Sequence, residues 1–342
     1  MFQTNLPGLG DNVASKLLDK RISNAADVSY FKTGSPAYRD FLSYVDLLCE
    51  KIRGSGSKVL NNKYKIHSDL FVRCSEFLSH LEKLCDETDL TISKSTATLR
   101  FGHVAFRDWF DQMKNECNKF ISVIAGQYDD QLREELYIYL SESFGNKMRI
   151  DYGTGHELNF VIFTMGLSYL TEQQQGKLSV ISSESLKSYV ENYGFDVHAL
   201  FAHHYLKLCR KLQTKFRLEP AGSRGVYNMD DFQFLPFLFG AAQLCGVKHI
   251  PTSEFYQIDQ VDMFKNDFIF FGALDFILNN KKGPFNEHSY TLWGFTSLGS
   301  WDNIARRIRS KFIDDVMSSF PVIQHMLFGK YIMRWDKEEP SG

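Results

Sequence analysis

Residues 218–237, LEPAGSRGVYNMDDFQFLPF, bring the residue types of a binding site into one stretch of chain. Gly222 and Gly225 stand three positions apart, and the acidic pair Asp230 and Asp231 follows them. Glycine lets backbone amides approach a ligand closely, and neighbouring carboxylates can hold a hard cation or a polar partner. The stretch is therefore predicted to be a ligand site as well as a connection between two helical segments.

The two acids also have a structural interpretation. Asp230 followed by Gln233 has the spacing of a helix cap, so the acids would begin a helix that runs to about residue 245. Pro236, within the first two turns, predicts a kink or a later start for that helix. Capping accounts for the acids and leaves the glycines ahead of them unexplained.

A second stretch, RIDYGTGHE at 149–157, predicts an anion site. Thr154 and Glu157 have the spacing of a capping box and precede an apolar run, so a helix would begin just after Gly153. Free amides and the positive end of the helix dipole gather at such an N-terminus, and Arg149 could add a phosphate contact. The alternative is a well-capped structural helix after a glycine turn.

Two further polar segments occur later in the chain: GPFNEHS at 283–289 and FPVIQH at 320–325. The Gly-Pro of the first is a stop-and-start signal for helices, and Glu287 and His288 could form an acid/base or binding pair. A polar first helical turn is the structural alternative. In the second segment, Gln324 and His325 are predicted to lie just past a helix end, where solvation alone would also account for them.

The common cofactor motifs do not occur in the sequence. Leu158 occupies the third glycine position of a dinucleotide fingerprint, and Phe160 the second histidine position of an H-E-x-x-H zinc motif. No G-x-x-x-x-G-K-[ST] phosphate loop is present. Adjacent His203 and His204 would point about 100° apart on a helix, and no carboxylate completes a metal set with them. A bound nucleotide would therefore use a different kind of loop.

Charge and cysteine usage limit the classes of partner. Lys and Arg total 39 and Asp and Glu total 41, for a net charge of −2, so no electrostatic nucleic-acid binder is expected. The six cysteines include no C-x-x-C pair, which indicates reduced core residues. Neither a signal peptide nor a membrane-spanning stretch is recognisable. We expect an intracellular protein, in the cytoplasm and also in the nucleus, that does not bind membranes.

Amphipathic helices are predicted to position these segments. Residues 301–320 carry apolar side chains at steps of three or four, which form one stripe on a helix. The stripe consists of Trp301, Ile304, Ile308, Phe312, Val316 and Phe320. Similar periodicity covers 37–53, 60–85, 103–124, 128–143, 157–171, 184–217, 231–245 and 266–280. Alternating strand-like runs are scarce, so the sequence predicts an all-α fold.

No long linker divides the chain. The Gly/Ser segment at about 53–60 is interpreted as a break between helices. We predict a flexible N-terminal segment at 1–24, a single domain at 25–332 and a flexible tail at 333–342.

Taken together, the four segments resemble the phosphotyrosyl phosphatase activators, which activate protein phosphatase 2A. RIDYGTGHE, LEPAGSRGVYNMDDFQFLPF, GPFNEHS and FPVIQH occur in the order seen in that family, and FGHVAFRDWF at 101–110 is similar to a further family segment. The resemblance covers roughly residues 25–332. Where the family commonly reads GVWGLDD, this chain has GVYNMDD, with Tyr227 and Asn228 at the differing positions and Arg224 just before them.

The resemblance implies a single multi-helix domain with core, lid and linker lobes around a deep cleft. It implies that ATP and magnesium bind in that cleft in company with the phosphatase. It also implies peptidyl-prolyl cis/trans isomerase activity, and a role in making the phosphatase active on serine/threonine substrates. The implied partners are the catalytic and scaffold subunits of protein phosphatase 2A and a proline-containing peptide, which would induce a homodimer.

Site residues follow from the resemblance by motif. The implied nucleotide contacts are Arg149, Thr154, Gly155, Pro321, Gln324 and His325. Magnesium would lie near Gly225 and Asp231. The phosphatase and peptide surface would include Val226, Asp230 and Glu287. For isomerase catalysis the implied residues are Asp230, Asp231 and Tyr227.

Three functions stay open at this point. The first is a phosphatase activator with isomerase activity, which needs no covalent nucleophile because a non-covalent site can bind the twisted amide. The second is a nucleotide-assisted binding module for the phosphatase without physiological isomerase activity. The third, an all-α nucleotide hydrolase acting alone, is disfavoured by the missing phosphate loop.

Overall fold

The structure, a computed structural model, describes residues 18–56, 64–91, 102–172, 181–222 and 229–336. The helices of these residues are α1 (Ala25–Thr33), α2 (Pro36–Ile52), α3 (Asp69–Glu87), α4 (Phe106–Ala125), α5 (Asp130–Ser141), α6 (Thr154–Gly166), α7 (Ser168–Glu172), α8 (Ser183–Ala199), α9 (Leu206–Phe216), α10 (Leu235–Leu244), α11 (Ile258–Phe264), α12 (Ile269–Asn280), α13 (Phe285–His288), α14 (Tyr290–Gly294), α15 (Trp301–Lys311) and α16 (Phe320–Ile323). Short strands are β1 (Asp19–Lys20), β2 (Asp151–Tyr152), β3 (Glu219–Pro220) and β4 (Leu327–Phe328). The predicted all-α, single-domain fold is confirmed.

The apolar stripe predicted for 301–320 forms the buried face of α15 and the π-helical turn that follows it, Phe312–Met317. Its first five members are buried, as the periodicity predicts. The sixth, Phe320, is 36% exposed and begins α16 instead. The helical period is therefore continuous along the stripe except at its last residue.

Two helices buried along most of their length hold the centre of the molecule. Every residue of α10 is buried, and this helix packs against α2, α12 and α15. Close approach to α12 requires Gly240, because a Cβ there would clash with the backbone of Phe270. The other central helix, α6, packs against α5 and α2. Helices α3 and α9 pack against the π-helical turn Leu200–Tyr205 that joins α8 to α9, and α4 packs on α3 and α5.

The ordered domain extends beyond the predicted limits at residues 24 and 332. Strand β1 pairs antiparallel with β4, and Leu18 and Ile22 beside it are buried. At the other end, Arg334 forms an ion pair with Asp40 at 3.2 Å, and Trp335 packs on the aromatic rings of α1. Residues at both described ends thus pack against the domain.

The described helices carry no candidate for a membrane span, because none combines the required length with sufficient apolar character. All six cysteines lie within the described residues and are free thiols. Five of them are buried and Cys49 is partly buried, as expected for reduced core residues.

Candidate functional site

The parallel pairing of β2 with β3 brings the first two sequence segments together. The amide of Glu219 donates to the carbonyl of Ile150 at 3.0 Å, and that of Ala221 donates to the carbonyl of Tyr152 at 2.8 Å. Helix α6 begins directly after β2. The stretch 149–157 and the start of 218–237 therefore run side by side at the N-terminus of α6.

The backbone adopts uncommon conformations just before both strands, β2 and β3. Ile150 (φ +53°) and Arg217 (φ +49°) are the non-glycine residues of the described chain with positive φ. Both lie just before the strands, and for a β-branched residue such as Ile150 this conformation is strained. Gly153 packs so closely on Ala221 that an added Cβ would lie 2.8 Å from its Cβ. Space is open around Gly155, where an added Cβ would meet no atom within 4 Å.

Residues of the segment FGHVAFRDWF contact the turns that precede β2 and β3. The amide of His103 donates to the carbonyl of Phe216 at 2.6 Å, next to the turn into β3. Arg107 donates through Nε to the carbonyl of Lys147 at 3.3 Å, next to the turn into β2. One segment thus contacts the chain ahead of both strands.

The capping predicted from Thr154 and Glu157 is wrong. Gly153 is the N-cap of α6, and no side chain caps it. The Glu157 carboxylate instead accepts hydrogen bonds from the amides of Phe234 and Leu235, the latter at 3.1 Å, and so caps α10. The N-terminus of α6 is left without a side-chain cap, and Thr154 and Gly155 are partly exposed there. Such a terminus attracts anions.

The predicted helix start at Asp230 is also wrong. Helix α10 begins at Leu235 with Phe234 as its N-cap, which agrees with the later start that Pro236 predicts. Asp230 and Asp231 lie in the loop ahead of it. They are therefore available for a role other than capping.

Burial changes the chemistry of Glu157. Its side chain is fully buried, and its Oε2 has no hydrogen-bond partner. Desolvation raises its pKa to about 8. The hydrogen bonds from the two amides oppose this rise, and the negative charge of Asp230 adds to it. The carboxyl group is mostly protonated at neutral pH. Its hydrogen bonds join α6 to the start of α10, just after the loop that carries Asp230 and Asp231.

Basic side chains collect beside the open end of α6. Arg149 is 53% exposed and forms an ion pair with Asp151 at 2.6 Å. Burial lowers the pKa of His325, and the nearby charges of Arg149 and Lys20 lower it further. Lys20 reaches this place because it pairs with Leu327 in the β1–β4 register. The sequence offered no signal for Lys20, which is far away along the chain.

The last two predicted nucleotide residues lie on a neighbouring element. Pro321 is in the first turn of α16, and Gln324 is its C-cap, so the predicted position just past a helix end is confirmed. The amide of the Gln324 side chain donates to the carbonyl of Pro321 at 3.3 Å. Since α16 packs on α6, the structure places this pair beside the element that carries Thr154 and Gly155.

Lys281 connects the acidic loop to the third segment. Its Nζ lies 2.9 Å from the Asp231 carboxylate and donates to the carbonyl of His288 at 3.4 Å. Burial raises the pKa of Asp230, Lys281 opposes this rise, and Asp231 adds to it. Sequence reasoning missed Lys281, because it lies fifty positions from Asp231 and has no local motif.

A buried cation lies under the same loop. Nε and Nη2 of Arg210 are buried and have no hydrogen-bond partner. Burial lowers the pKa of this guanidinium, and the charges of Asp230 and Asp275 oppose that effect. Its guanidinium also lies 5.5 Å from the centre of the Phe276 ring. Asp230 therefore faces positive charge from both Arg210 and Lys281.

Comparison with known proteins assigns the family. A sequence profile described as "Phosphotyrosyl phosphate activator (PTPA) protein" matches residues 18–335 of this chain. The chain belongs to the PTPA family. This membership confirms the resemblance carried by the five sequence segments.

Named relatives of this PTPA chain cover most of its length. The serine/threonine-protein phosphatase 2A activator of Drosophila melanogaster is 32% identical over 325 residues, which span 94% of this chain and 75% of that protein. Serine/threonine-protein phosphatase 2A activator 2 of Saccharomyces cerevisiae is 32% identical over 323 residues, which span 92% and 83%. A crystal structure of the PP2A phosphatase activator Ypa1 PTPA1 has a TM-score of 0.75 at 24% identity and covers 93% of this chain and 95% of that one. The structural likeness shows the shared fold.

Three of the site residues predicted for this PTPA chain lie outside the described residues: Gly225, Val226 and Tyr227. Glu287 is described, and it is exposed on α13. Next to it, Tyr290 and Trp293 are 55% and 39% exposed, with ring centres 6.2 Å apart. This aromatic pair was missed by sequence reasoning, which had no means to tell exposed rings from core rings.

The residues present fit a nucleotide better than a free metal ion. An uncapped helix N-terminus with Arg149, Lys20 and His325 beside it suits phosphate groups. For magnesium, the described residues contain no group of three or more His, Cys, Asp or Glu able to hold a metal. Asp231, the described member of the predicted magnesium site, is paired with Lys281. A magnesium ion here would therefore need most of its ligands from waters and nucleotide phosphates.

Proposed function

We propose that this chain is an activator of protein phosphatase 2A that binds the catalytic subunit, with its scaffold subunit, in the presence of ATP and magnesium. The observation that carries the proposal is the meeting of four sequence segments around the N-terminus of α6 and the acidic loop. β2–β3 pairing, α16 packing and Lys281 bring these segments together. The relatives named phosphatase 2A activators support the choice of partner.

The nucleotide would be held at the N-terminus of α6. Thr154 and Gly155 would offer backbone amides to its phosphates, and the open space at Gly155 allows close approach. Arg149 would exchange part of its ion pair with Asp151 for a phosphate. His325 would donate a hydrogen bond, and the added negative charge would favour its protonated form. When bound, ATP and magnesium would supply charge that the phosphatase also contacts.

Magnesium would be held near Asp231 together with the nucleotide. Lys281 neutralises Asp231 in the free protein and would have to move from it when the ion binds. This exchange makes metal binding depend on the nucleotide, because phosphates supply the ligands that the chain lacks. It supports the expectation that magnesium binds together with ATP.

The phosphatase would contact the exposed surface around Glu287. Tyr290 and Trp293 beside it are exposed aromatic residues of the kind that dominates protein interfaces. Val226 and Asp230 would extend this surface from the acidic loop. The same surface would bind a proline-containing peptide, and a peptide shared between two chains would account for a peptide-induced homodimer.

Prolyl isomerase activity would arise from non-covalent binding of a twisted amide. The barrier of about 18–20 kcal/mol comes from amide resonance, so a site that favours the twisted form lowers it. Phe232, partly buried, and Phe234, buried, give the loop an apolar side. Asp230, Asp231 and Tyr227 would orient the peptide, and Lys281 holds Asp231 in place as long as no magnesium is bound.

Capture of the phosphatase tests the main proposal. The wild-type chain is expected to retain the scaffold–catalytic dimer more strongly with ATP and magnesium than without. Val226→Asp is expected to abolish retention by placing a charge in the interface while the fold survives. Retention of the dimer by this folded variant would contradict the interface assignment, and failure of the wild type to bind under any condition would contradict the function.

A protease-coupled assay on an X-Pro peptide separates the two forms of the proposal. An activator with isomerase activity is expected to isomerise the peptide faster than its Asp231→Ala variant. Equal rates, together with intact phosphatase binding, would favour a pure binding module without physiological isomerase activity.

Location in the cytoplasm and nucleus remains part of the proposal, to be tested by imaging a tagged chain.

A further inference from the structure

An open groove of about 540 Å³ lies between α3 and the junction of α8 with α9. Its lining shares no residue with the site described above. Ile66, Val72 and Ala199 make up the apolar part of the lining. Volumes of about 300–1,000 Å³ are typical of small-molecule sites, so the groove is large enough for a small organic ligand.

The π-helical turn Leu200–Tyr205 shapes one side of this groove. It places both His203 and His204 in the lining. Turns of this kind insert a residue into a helix and occur frequently at functional sites. A metal is not the ligand, because the described residues hold no group of three potential metal-ligating side chains. Without a metal, the chemistry that the two imidazoles can offer a ligand is hydrogen bonding.

The described lining of the groove carries basic side chains and no acidic ones. Lys65 and Lys207 contribute two cations, and none of the described residues that line the groove is acidic. Two acids near these elements are already engaged. Asp196 accepts hydrogen bonds from the Tyr64 hydroxyl at 2.7 Å and from the backbone amides of 67 and 68, at 3.0 Å for the closer. Glu82, outside the lining, forms ion pairs with both Lys207 and Lys211 at 3.0 Å, so one carboxylate is divided between two lysines, and Lys65 is the lining cation for which no ion pair is seen among the described residues.

Burial disfavours the charged form of both imidazoles in the free protein. It lowers the pKa of His203 and of His204. The charges of His203 and Lys207 lower the pKa of His204 further, and Glu82 opposes them. An anion in the groove would reverse this effect, because negative charge favours the protonated imidazole. Binding of an anion should therefore take up protons and become tighter as the pH falls from 8 to 7.

We propose that this groove binds a phosphomonoester with a small apolar organic group. A phosphomonoester carries a charge of about −1.5 to −2 at pH 7 and three acceptor oxygens, which matches the two lysines and the two imidazole donors. A carboxylate would supply half of that charge. The apolar part of the lining would contact the organic group. The phosphate can belong to a free metabolite or to a phosphorylated side chain of a peptide.

Calorimetric titration of the full chain with phenyl phosphate tests the proposal. We expect saturable one-site binding, weaker binding of benzoate by about tenfold, and tighter binding at pH 7 than at pH 8. Lys65→Gln combined with Lys207→Gln should weaken phenyl phosphate binding at least about tenfold, or about 1.4 kcal/mol. A phosphoserine peptide in a parallel titration identifies the source, because the natural carrier should bind more tightly than phenyl phosphate or inorganic phosphate.

Two controls separate this groove from other basic surfaces. Lys119→Gln removes an exposed lysine on α4 that pairs with Glu116, and it should leave binding unchanged. Arg149→Gln weakens the candidate nucleotide site and should also leave binding to the groove unchanged. If the lysine double variant unfolds, His203→Gln with His204→Gln provides the same test. Absence of binding, binding insensitive to the groove variants, or binding lost in Arg149→Gln would overturn the proposal.

Discussion

Glu157→Gln is expected to stabilise the protein in neutral and alkaline solution. The pKa of Glu157 rises from an ordinary 4.5 to about 8 because the carboxyl is fully buried. At about 1.4 kcal/mol for each tenfold change in an equilibrium constant, ionisation costs the folded state about 5 kcal/mol more than the unfolded state. At pH 7 the cost already incurred is about 3 kcal/mol.

The sign follows from the raised pKa. A group whose pKa is higher in the folded protein contributes stability that is fully present below about pH 4.5. That stability is lost as the pH rises through about 8, because the unfolded state ionises first. Glutamine does not ionise, and its carbonyl can accept from the amides of Phe234 and Leu235 as Glu157 does. The variant should therefore lose less stability than the wild type as the pH rises.

Urea unfolding of the two proteins at pH 5, 7 and 8 measures the difference. We expect free energies of unfolding within about 1 kcal/mol at pH 5 and an advantage for Glu157→Gln of about 3–5 kcal/mol at pH 8. Glu157→Ala is the contrasting variant: it removes the acceptor from two buried amides and should destabilise at every pH by about 2–4 kcal/mol. A Glu157→Gln variant that is less stable than wild type at pH 8 would show that the folded protein holds an ionised carboxylate, and the reasoning would be refuted.

Three further predictions concern the surroundings of the site. Gly153→Ala should lower the free energy of unfolding by about 1–3 kcal/mol, because a Cβ would press on Ala221; the matched Gly155→Ala, in open space, should change it by less than about 1 kcal/mol. Arg149→Gln should raise the ATP concentration needed for phosphatase retention by about tenfold, a loss of about 1.4 kcal/mol, and unchanged ATP dependence would remove Arg149 from the nucleotide site. Trp335→Ala should cost about 2 kcal/mol in thermal unfolding, because Trp335 packs on Phe31 and Phe328; no loss would favour the predicted domain limit at 332.

Local periodicity was enough to predict most of the helices. The stripe at 301–320 corresponds to α15 and its π-helical turn, and the pattern at 266–280 corresponds to α12. These predictions succeed because a helix places residues three and four apart on one face, whatever the rest of the chain does. Short helices such as α13 and α16 have too few residues to show a period, and only their proline signals marked them.

Capping was predicted less well, because a cap can come from far along the chain. Glu157 has the spacing to cap its own helix, yet it lies 77 positions from the amide of Phe234 that it binds. Its own terminus remains uncapped, which leaves the end of α6 open for an anion. A local pattern cannot distinguish these outcomes, since both place a glutamate in the first turn.

Residues 218–237 show the division between sequence and tertiary structure most clearly. The sequence by itself determined that the stretch combines glycines with acids, and its motifs determined the family. Only the tertiary structure decided that Asp231 pairs with Lys281 and that Asp230 faces buried Arg210. It also decided that Arg149 lies close to His325. The physical reason is that ion pairing and pKa depend on burial and on distances in space. Separation along the chain does not report either of them.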